Sequence, residues 1–249
     1  MKALKFTLSG DHAFFKDNVL NTIYLTYGNI HKIALLGIFG AIIGLGGYNQ
    51  QSKQLTLDKN RKYNDYPEFY EKLKNLKISV IPNSENGTFS KKMQSFNNSV
   101  GYASQEQGNN LIVNQYWLEN PSWDIVLMLD SEYSQKIADY IINYKTVYIP
   151  YLGANNHFAN IENAEVIDIE ELKTKEAIQI NSYVLSENIK LELNPIISQG
   201  SFKYQEYLPF ELDQYFNKYI LKKVMVTDYL VKNQKDKTYK AGEYNIVFY

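Results

Sequence analysis

The chain has 249 residues with 26 basic and 27 acidic side chains, a net charge of −1, and no cysteine. This length allows one large domain or two small ones, each with an ample core. The missing cysteines exclude disulfides and thiolate metal sites, and the three histidines lack metal-ligand spacing. A net charge near zero argues against a protein that coats nucleic acid without selectivity. No metal and no other cofactor is expected.

Charge is unevenly distributed along the chain. Residues 1–92 contain 13 basic and 7 acidic side chains, a net charge of +6, whereas residues 93–249 contain 13 and 20, a net charge of −7. A basic first part that contacts RNA is one interpretation of this asymmetry. Tyrosine is also abundant, at 22 residues. An AT-rich genome accounts for that number, although tyrosine also stacks on bases.

The first elements predicted are a strand at Lys2–Ser9, a loop, and an apolar helix at 33–47. Glycines recur in the helix at positions 37, 40, 44 and 47, which places them on one face. Each costs about 1 kcal/mol relative to alanine, so we expect a sheet backbone to approach this face closely. A membrane helix is the alternative, but 15 apolar residues are fewer than the roughly 20 that span a bilayer. We therefore predict a core helix that ends at Gly46–Gly47.

The start of this helix is unusual in its charge. Asn29 is a candidate N-cap, and His31 and Lys32 would then occupy the first turn. Cations in the first turn oppose the helix macrodipole, so a bound anion at the exposed N–H groups would explain them. A solvated lysine beside an uncharged histidine explains the same residues without a ligand.

The middle of the chain alternates further strands and helices. An irregular polar segment is predicted at 50–64, and a hairpin turn is predicted at Asn120–Ser122. Residues 82–110 are rich in Asn, Ser, Gln and Gly and form a long insertion, which is either functional or a mobile loop. The predicted helices are 68–73 and 131–144, and the predicted strands are 76–81, 111–117 and 123–129. This order indicates an α+β fold of the modified ferredoxin-like or RRM type, βαββαβ with additions.

A second informative stretch is the loop at 148–161. Gly153, Asn155 and Asn156 can adopt positive φ, which would expose backbone N–H groups to a phosphate, and His157 could add a donor. A simple turn without a ligand fits the composition equally well. Beyond it, short strands predict a smaller β-rich C-terminal portion. We therefore divide the chain into 1–160, with the insertion at 82–110, and 161–249.

Several of these segments together resemble a known family. They are Phe14-Phe15-Lys16, Thr26-Tyr27-Gly28-Asn29-Ile30, the helix with Ala34-Leu35-Leu36-Gly37 and Ala41-Ile42-Ile43-Gly44, and Tyr148-Ile149-Pro150-Tyr151-Leu152-Gly153. This pattern is similar to the CRISPR-associated protein family five, the RAMP-superfamily subunit of type I Cascade, and most similar to its type I-B form.

The resemblance implies a function and a set of partners. The subunit would bind the 5′ handle of the CRISPR RNA (crRNA), contact the Cascade backbone and large subunits, and meet target DNA only through the complex. The insertion would be a β-hairpin "thumb". Expected RNA-binding residues are Lys16, Asn18, Tyr27, His31, Lys32, Lys91, Lys92, Gln94, Tyr151, Gly153, Asn155, Asn156 and His157.

Two alternatives to this function remain. In type I-C systems the same family cuts the repeat RNA without a metal, for which His31 or His157 would have to serve. The catalytic form resembles this chain less, because it has a Lys-His pair beyond the thumb that this chain lacks, so we expect no enzymatic activity. A generic RNA binder is the second alternative, although no RNP-type aromatic strand is present. No targeting or spanning segment is recognised, and we expect a cytoplasmic protein without a membrane partner.

Overall fold

The computed structural model describes residues 1–17, 23–57, 66–97, 105, 111–174, 176–192, 202–233 and 235–249. The helices are α1 (Lys32–Ile43), α2 (Tyr48–Leu57), α3 (Glu68–Leu73) and α4 (Glu132–Ile142). The strands are β1 (Lys2–Ser9), β2 (His12–Ala13), β3 (Ile23–Tyr24), β4 (Ile78–Pro82), β5 (Lys91–Asn97), β6 (Ile112–Glu119), β7 (Ser122–Met128), β8 (Asn160–Leu172), β9 (Ile178–Gln179), β10 (Val184–Leu185), β11 (Ile189–Leu191), β12 (Lys203–Leu212), β13 (Tyr219–Thr227), β14 (Leu230–Asn233), β15 (Thr238–Ala241) and β16 (Tyr244–Val247). The expected α+β class, dominated by sheet, is confirmed.

A six-stranded sheet in the order β16-β15-β8-β1-β7-β4 organises the fold. Four of its strands and two helices occur along the chain in the order β1, α1, β4, β7, α4, β8, with other elements between them. Every pairing among these four strands is antiparallel. The alternating apolar residues of β1 explain its central place, because Leu4, Phe6 and Leu8 all lie in the main core. β1 pairs with β7 in a register that places Leu8 opposite Trp123.

Helix α1 is buried over most of its surface, as its uniformly apolar sequence predicts. His31, and not Asn29, is its N-cap, and it ends at Gly44 (φ 83°), earlier than predicted. The expected approach of a sheet backbone to the glycines is also wrong. A Cβ on Gly40 would lie 2.6 Å from the Cβ of Phe69 in α3, whereas a Cβ on Gly37 would meet nothing within 4 Å.

Two further helices differ in how well the sequence predicts them. Helix α4 follows its predicted range closely, since Ser131 caps it and forms a capping box with Ser134. Helix α2 replaces the irregular structure predicted for residues 50–57, and the rest of that predicted segment, 58–64, lies outside the described residues. Its residues are polar and mostly exposed, so the sequence shows no apolar periodicity that would indicate a helix.

The predicted hairpin between β6 and β7 is wrong, because these strands lie in different sheets. β7 pairs with β1 and β4, whereas β6 pairs with β2, β3 and β5. The turn at Asn120 (φ 44°) redirects the chain, and its N–H donates to the carbonyl of Asp11. β5 and β6 pair at seven positions, and we call this pair the β5–β6 ribbon; with β2 and β3 it forms a four-stranded sheet separate from the central one. The remainder of the predicted insertion, 98–104 and 106–110, lies outside the described residues.

The C-terminal part is β-rich, as its sequence indicates, and shares the core of the first part. β15 pairs with β8, and β8 pairs with β1, so both parts contribute to one sheet. Tyr183, Leu208 and Val224 lie in the same apolar cluster as β1 and α1. The backbone of Tyr249 also exchanges both hydrogen bonds with Ile78 at the edge of the sheet. The division at residue 160 remains a prediction.

Among the described residues no single helix has the length and apolar character needed to cross a membrane. α1 and α2 would reach that length only together, and they meet at an angle of 77°.

Candidate nucleic-acid interface

A groove of about 1250 Å³ lies between α1, the β5–β6 ribbon and the loop at 148–156. Ala34, Gly37 and Ala41 of α1 form part of its floor, and small side chains at these helically spaced positions make it deep. Its lining is mainly aromatic and carboxamide, and none of the described lining residues is acidic. The predicted RNA-binding residues that line it are Lys16, His31, Gln94, Tyr151, Gly153, Asn155 and Asn156. These residues are far apart in the sequence and meet only in the folded chain.

One end of the groove is fixed by contact between the loop and the segment before α1. Gly153 has φ 86°, and a Cβ there would lie 1.9 Å from the carbonyl oxygen of Phe14. The N–H of Phe14 donates to the carbonyl of Leu152 at 2.9 Å. Only glycine allows this approach. Asn155 and Asn156, in contrast, are not among the described residues with positive φ, so that part of the prediction is wrong.

Lys16 is the one lysine among the described lining residues. Its ammonium lies 4.0 Å from the centre of the Tyr24 ring, and its backbone bridges to Thr26. These contacts hold the cation at the mouth of the groove, in a position that a phosphate can reach. Asn18, the other predicted contact in this segment, lies outside the described residues.

His31 lines the groove floor, but not as a cation. Its Nδ1 accepts a hydrogen bond from the N–H of Ala34 at 3.2 Å, which makes it the N-cap of α1. Burial lowers its pKa from 6.5 to about 3, so the imidazole is neutral at physiological pH. The rings of Phe15, Tyr27 and Tyr219 surround it, each 5.5–5.8 Å from its centroid. The predicted cation pair at the helix start does not form.

Lys32 and Tyr27 are both buried and do not line the groove. The ammonium of Lys32 lies 5.0 Å from the centre of the Phe210 ring and 5.9 Å from that of Tyr249. Burial lowers its pKa from 10.5 to about 8, while Glu211 opposes the shift and Lys222 adds to it. Tyr27 is 5 % exposed, and burial raises the pKa of its hydroxyl. Sequence alone placed both side chains at an RNA surface, whereas packing places them in the interior.

His157 lies beneath the loop and not on the groove surface. It is 4 % exposed, its ring centroid is 4.5 Å from that of Trp117 and 6.0 Å from that of His12. Neither ring nitrogen has a hydrogen-bond partner among the described residues. Burial, and then the neighbouring His12, lowers its pKa. Its ring makes an edge contact with the indole of Trp117, at an interplanar angle of 75°.

The two predicted lysines of the β5–β6 ribbon differ in their surroundings. Lys91 donates to the backbone carbonyl of Thr26 at 3.1 Å, which ties the ribbon to the segment before α1. Lys92 is exposed and lies opposite Trp117. Because side chains alternate along a strand, Lys92 shares a face with Gln94, which lines the groove. Lys92 itself is not one of the lining residues.

Several groove residues were not predicted from the sequence: Ser95, Phe96, Gln115, Trp117, Tyr148 and Ile149. The sequence pattern could have identified two of them, because period-two alternation puts Gln115 and Trp117 on one face of β6. Which face lines the groove depends on pairing with β5, which the sequence does not specify. Tyr148 and Ile149 are more than half exposed and belong to the informative loop, but the sequence did not single them out as contacts.

No family model matches the chain, and no curated protein matches it. Among solved structures, a chain of a CRISPR RNA-guided surveillance complex aligns with a TM-score of 0.52 and 12 % identity, covering 92 % of this chain and 91 % of that one. A CRISPR protein from Archaeoglobus fulgidus aligns with a TM-score of 0.52 and 12 % identity, covering 99 % and 98 %. The protein therefore has the fold of these two CRISPR proteins over nearly its whole length.

Proposed function

We propose that this protein is a non-catalytic RNA-binding subunit of a CRISPR surveillance complex and holds the guide RNA in the groove. The observation that carries the proposal is that Lys16, Gln94 and the Gly153–Asn156 loop meet around one cavity whose described lining contains no acidic residue. Aromatic rings on which bases stack, carboxamides that hydrogen-bond base edges and a lysine in the lining together suit single-stranded RNA. The fold shared with two CRISPR proteins supports the same class of function.

In its finer form the proposal is a family-five subunit of type I Cascade, of the I-B kind, bound to the crRNA 5′ handle. The antiparallel strand order β8-β1-β7-β4 supports a ferredoxin-like RAMP fold. The ribbon of β5 and β6 would be the base of the thumb and would contact the backbone subunit. The large subunit would bind elsewhere on the surface, and target DNA would be met only through the complex. We place this complex in the cytoplasm.

Binding without catalysis is supported by the state of the two candidate histidines. Metal-independent RNA cleavage needs a base and an acid that reach the 2′-oxygen and the leaving 5′-oxygen. The Nδ1 of His31 is engaged as a helix cap, and both nitrogens of His157 are buried. The pKa of each imidazole is lowered, which disfavours the protonated form that an acid requires.

Co-purification tests the binding function directly. The chain would be expressed with the other proteins encoded beside its gene and with a CRISPR array, then isolated through a tag on a different subunit. We expect mature guide RNA and this protein to elute together, and Lys16→Ala combined with Lys92→Ala to reduce the retained RNA. Lys72→Ala, which changes an exposed lysine of α3, is the matched control. Complexes that retain guide RNA equally without this protein would contradict the proposal.

A separate incubation tests the absence of catalysis. Purified protein would be mixed with CRISPR repeat RNA in EDTA, and the RNA would be separated on a denaturing gel. We expect intact repeat RNA. A discrete cleavage product that disappears in His31→Ala or His157→Ala would identify the protein as an endoribonuclease instead.

A further inference from the structure

The β5–β6 ribbon presents an ordered ladder of side chains to the groove. The register places Lys92 opposite Trp117, Gln94 opposite Gln115 and Phe96 opposite Val113. These three pairs share one face because side chains alternate along each strand, and four of the six residues line the groove. A pair of carboxamides therefore sits between two aromatic rings, each about 7 Å further along the strands.

The amide of Gln115 is held in one orientation. The indole Nε1–H of Trp117 donates to its Oε1 at 2.8 Å. An indole can only donate, so the amide must present its oxygen to Trp117 and its NH₂ group elsewhere. That NH₂ group has no hydrogen-bond partner among the described residues, and the side chain of Gln94 has none either. Both residues are half-buried in the groove wall. An oriented amide donor from Gln115, beside a second amide from Gln94, is suited to a ligand with hydrogen-bond acceptors.

We propose that Gln94 and Gln115 form a subsite that reads the edge of one RNA base, with Trp117 as the residue that positions Gln115. This inference rests on the proposed function, because it specifies which part of the RNA the groove recognises. Gln115 supplies a fixed donor to a ring nitrogen or carbonyl oxygen of the base. Gln94 is free to turn its amide and pairs with the neighbouring group, whether donor or acceptor.

A base fits this site better than a phosphate does. Among the described residues that line the groove, Lys16 is the one lysine, and its ammonium already lies over Tyr24. Carboxamides hydrogen-bond base edges with good geometry, and aromatic rings such as Phe96 and Trp117 stack on bases of any sequence. Binding at this subsite should therefore be nearly independent of salt, unlike binding through phosphates.

Three RNA probes separate base from phosphate recognition: a uridine octamer, an abasic octamer with the same phosphates, and an octamer of difluorotoluene ribonucleosides. The last probe keeps the shape of the base but lacks strong hydrogen-bond acceptors. Fluorescence anisotropy and tryptophan quenching would measure binding. Trp123 is fully buried, so of the two tryptophans only Trp117 is placed to report on the groove. We expect the uridine octamer to bind about tenfold more tightly than either other probe.

The variants test the two carboxamides and the positioning role separately. Gln94→Ala and Gln115→Ala should each weaken uridine binding about fivefold, leave abasic binding unchanged and leave the salt slope unchanged. Trp117→Phe keeps a ring but removes the donor, so it should weaken uridine binding in the native protein and much less in the Gln115→Ala background. Gln135→Ala, on the exposed side of α4, is the matched control and should bind as the native protein does. Melting temperatures would confirm that each variant is folded.

The outcomes distinguish this inference from the proposed function. Equal binding of the uridine and abasic octamers, or unchanged binding in Gln115→Ala, would overturn the subsite while guide RNA could still co-purify with the complex. Failure of guide RNA to co-purify would overturn the proposed function and the subsite together. A uridine preference that both glutamine variants abolish would establish the subsite.

Discussion

At the scale of single residues, the neighbours His31 and Lys32 show how burial changes the chemistry that a sequence implies. Both are basic, and together they predict an anion site at the start of α1. In the folded chain His31 becomes a neutral helix cap and Lys32 packs on Phe210. The cost of burying charge therefore decides their roles, because water is no longer available to solvate them.

The titration of His31 predicts how stability depends on pH. Its pKa is about 3 in the folded chain and about 6.5 when unfolded, so the unfolded state binds the proton more tightly. The contribution to stability is complete above pH 6.5 and is lost as the pH falls towards 3, by about 1.4 kcal/mol per pH unit. Urea denaturation between pH 4 and 8 would measure the slope. His31→Asn keeps a capping acceptor without a titrating group, so its slope should be smaller; equal slopes would refute the assignment.

For Lys32 we predict that a substitution stabilises the protein, because it removes a buried charge. Its folded pKa of about 8 lies below the unfolded 10.5, so stability falls as the pH drops from 10.5 to 8 and stays reduced below that. Lys32→Met removes the buried charge and should raise the free energy of unfolding by about 1 kcal/mol at pH 7, with no gain above pH 10.5. Exposed Lys72→Met should have no comparable effect. Loss of stability in Lys32→Met at pH 7 would show that its ammonium is favourably paired.

At the scale of elements, α1 illustrates that one glycine pattern serves several purposes. Gly40 permits close packing of α3, Gly44 ends the helix with positive φ, and Gly37 opens the groove floor. Their common spacing indicated a single face with one partner. The partners differ because Gly37 faces the groove, Gly40 faces Phe69 of α3 and Gly44 lies against Val147.

This difference predicts opposite effects of the same substitution within α1. Gly37→Ala adds a methyl group to open space and should raise the free energy of unfolding by about 0.5–1 kcal/mol through higher helix propensity. Gly40→Ala places its Cβ 2.6 Å from Phe69 and should lower it by about 1–3 kcal/mol. Thermal or urea unfolding would measure the change in the free energy of unfolding for both variants. Similar shifts in the same direction would mean that α3 adjusts freely to the added methyl group.

At the scale of the whole molecule, the two halves are joined through one sheet and one apolar core. β8 lies beside β1 at the centre of the sheet and also connects it to β15 and β16. Glu206 adds a polar link, because it accepts hydrogen bonds from the N–H of Gly28 at 2.8 and 3.1 Å. Strands from the C-terminal half therefore complete the structure that holds the groove.

This arrangement predicts that the sequence-based division at residue 160 does not yield an independent domain. A fragment of residues 1–160 lacks β8 and leaves the long edge of β1 unpaired, so it should aggregate or remain unfolded. The full chain should unfold in one transition, with coincident circular dichroism and fluorescence curves. A soluble 1–160 fragment with cooperative melting would support two separable domains.

The sequence by itself determined the elements whose signal is local. Alternation identified β1, Ser131 identified the start of α4, and continuous apolar character identified α1 as a core helix. Gly153 was also recognisable, because glycine adopts positive φ freely and the loop has φ 86° there. Each of these signals lies in the local sequence.

Only the tertiary structure decided what depends on distant neighbours. It separated β6 from β7 into different sheets, buried Lys32, and brought Gln115 beside Gln94 in the wall of the groove. Alternation gives the two faces of a strand, but pairing and packing decide which face is buried and which meets a ligand. Burial likewise decides whether a basic side chain keeps its charge, because desolvation depends on the residues that fold around it.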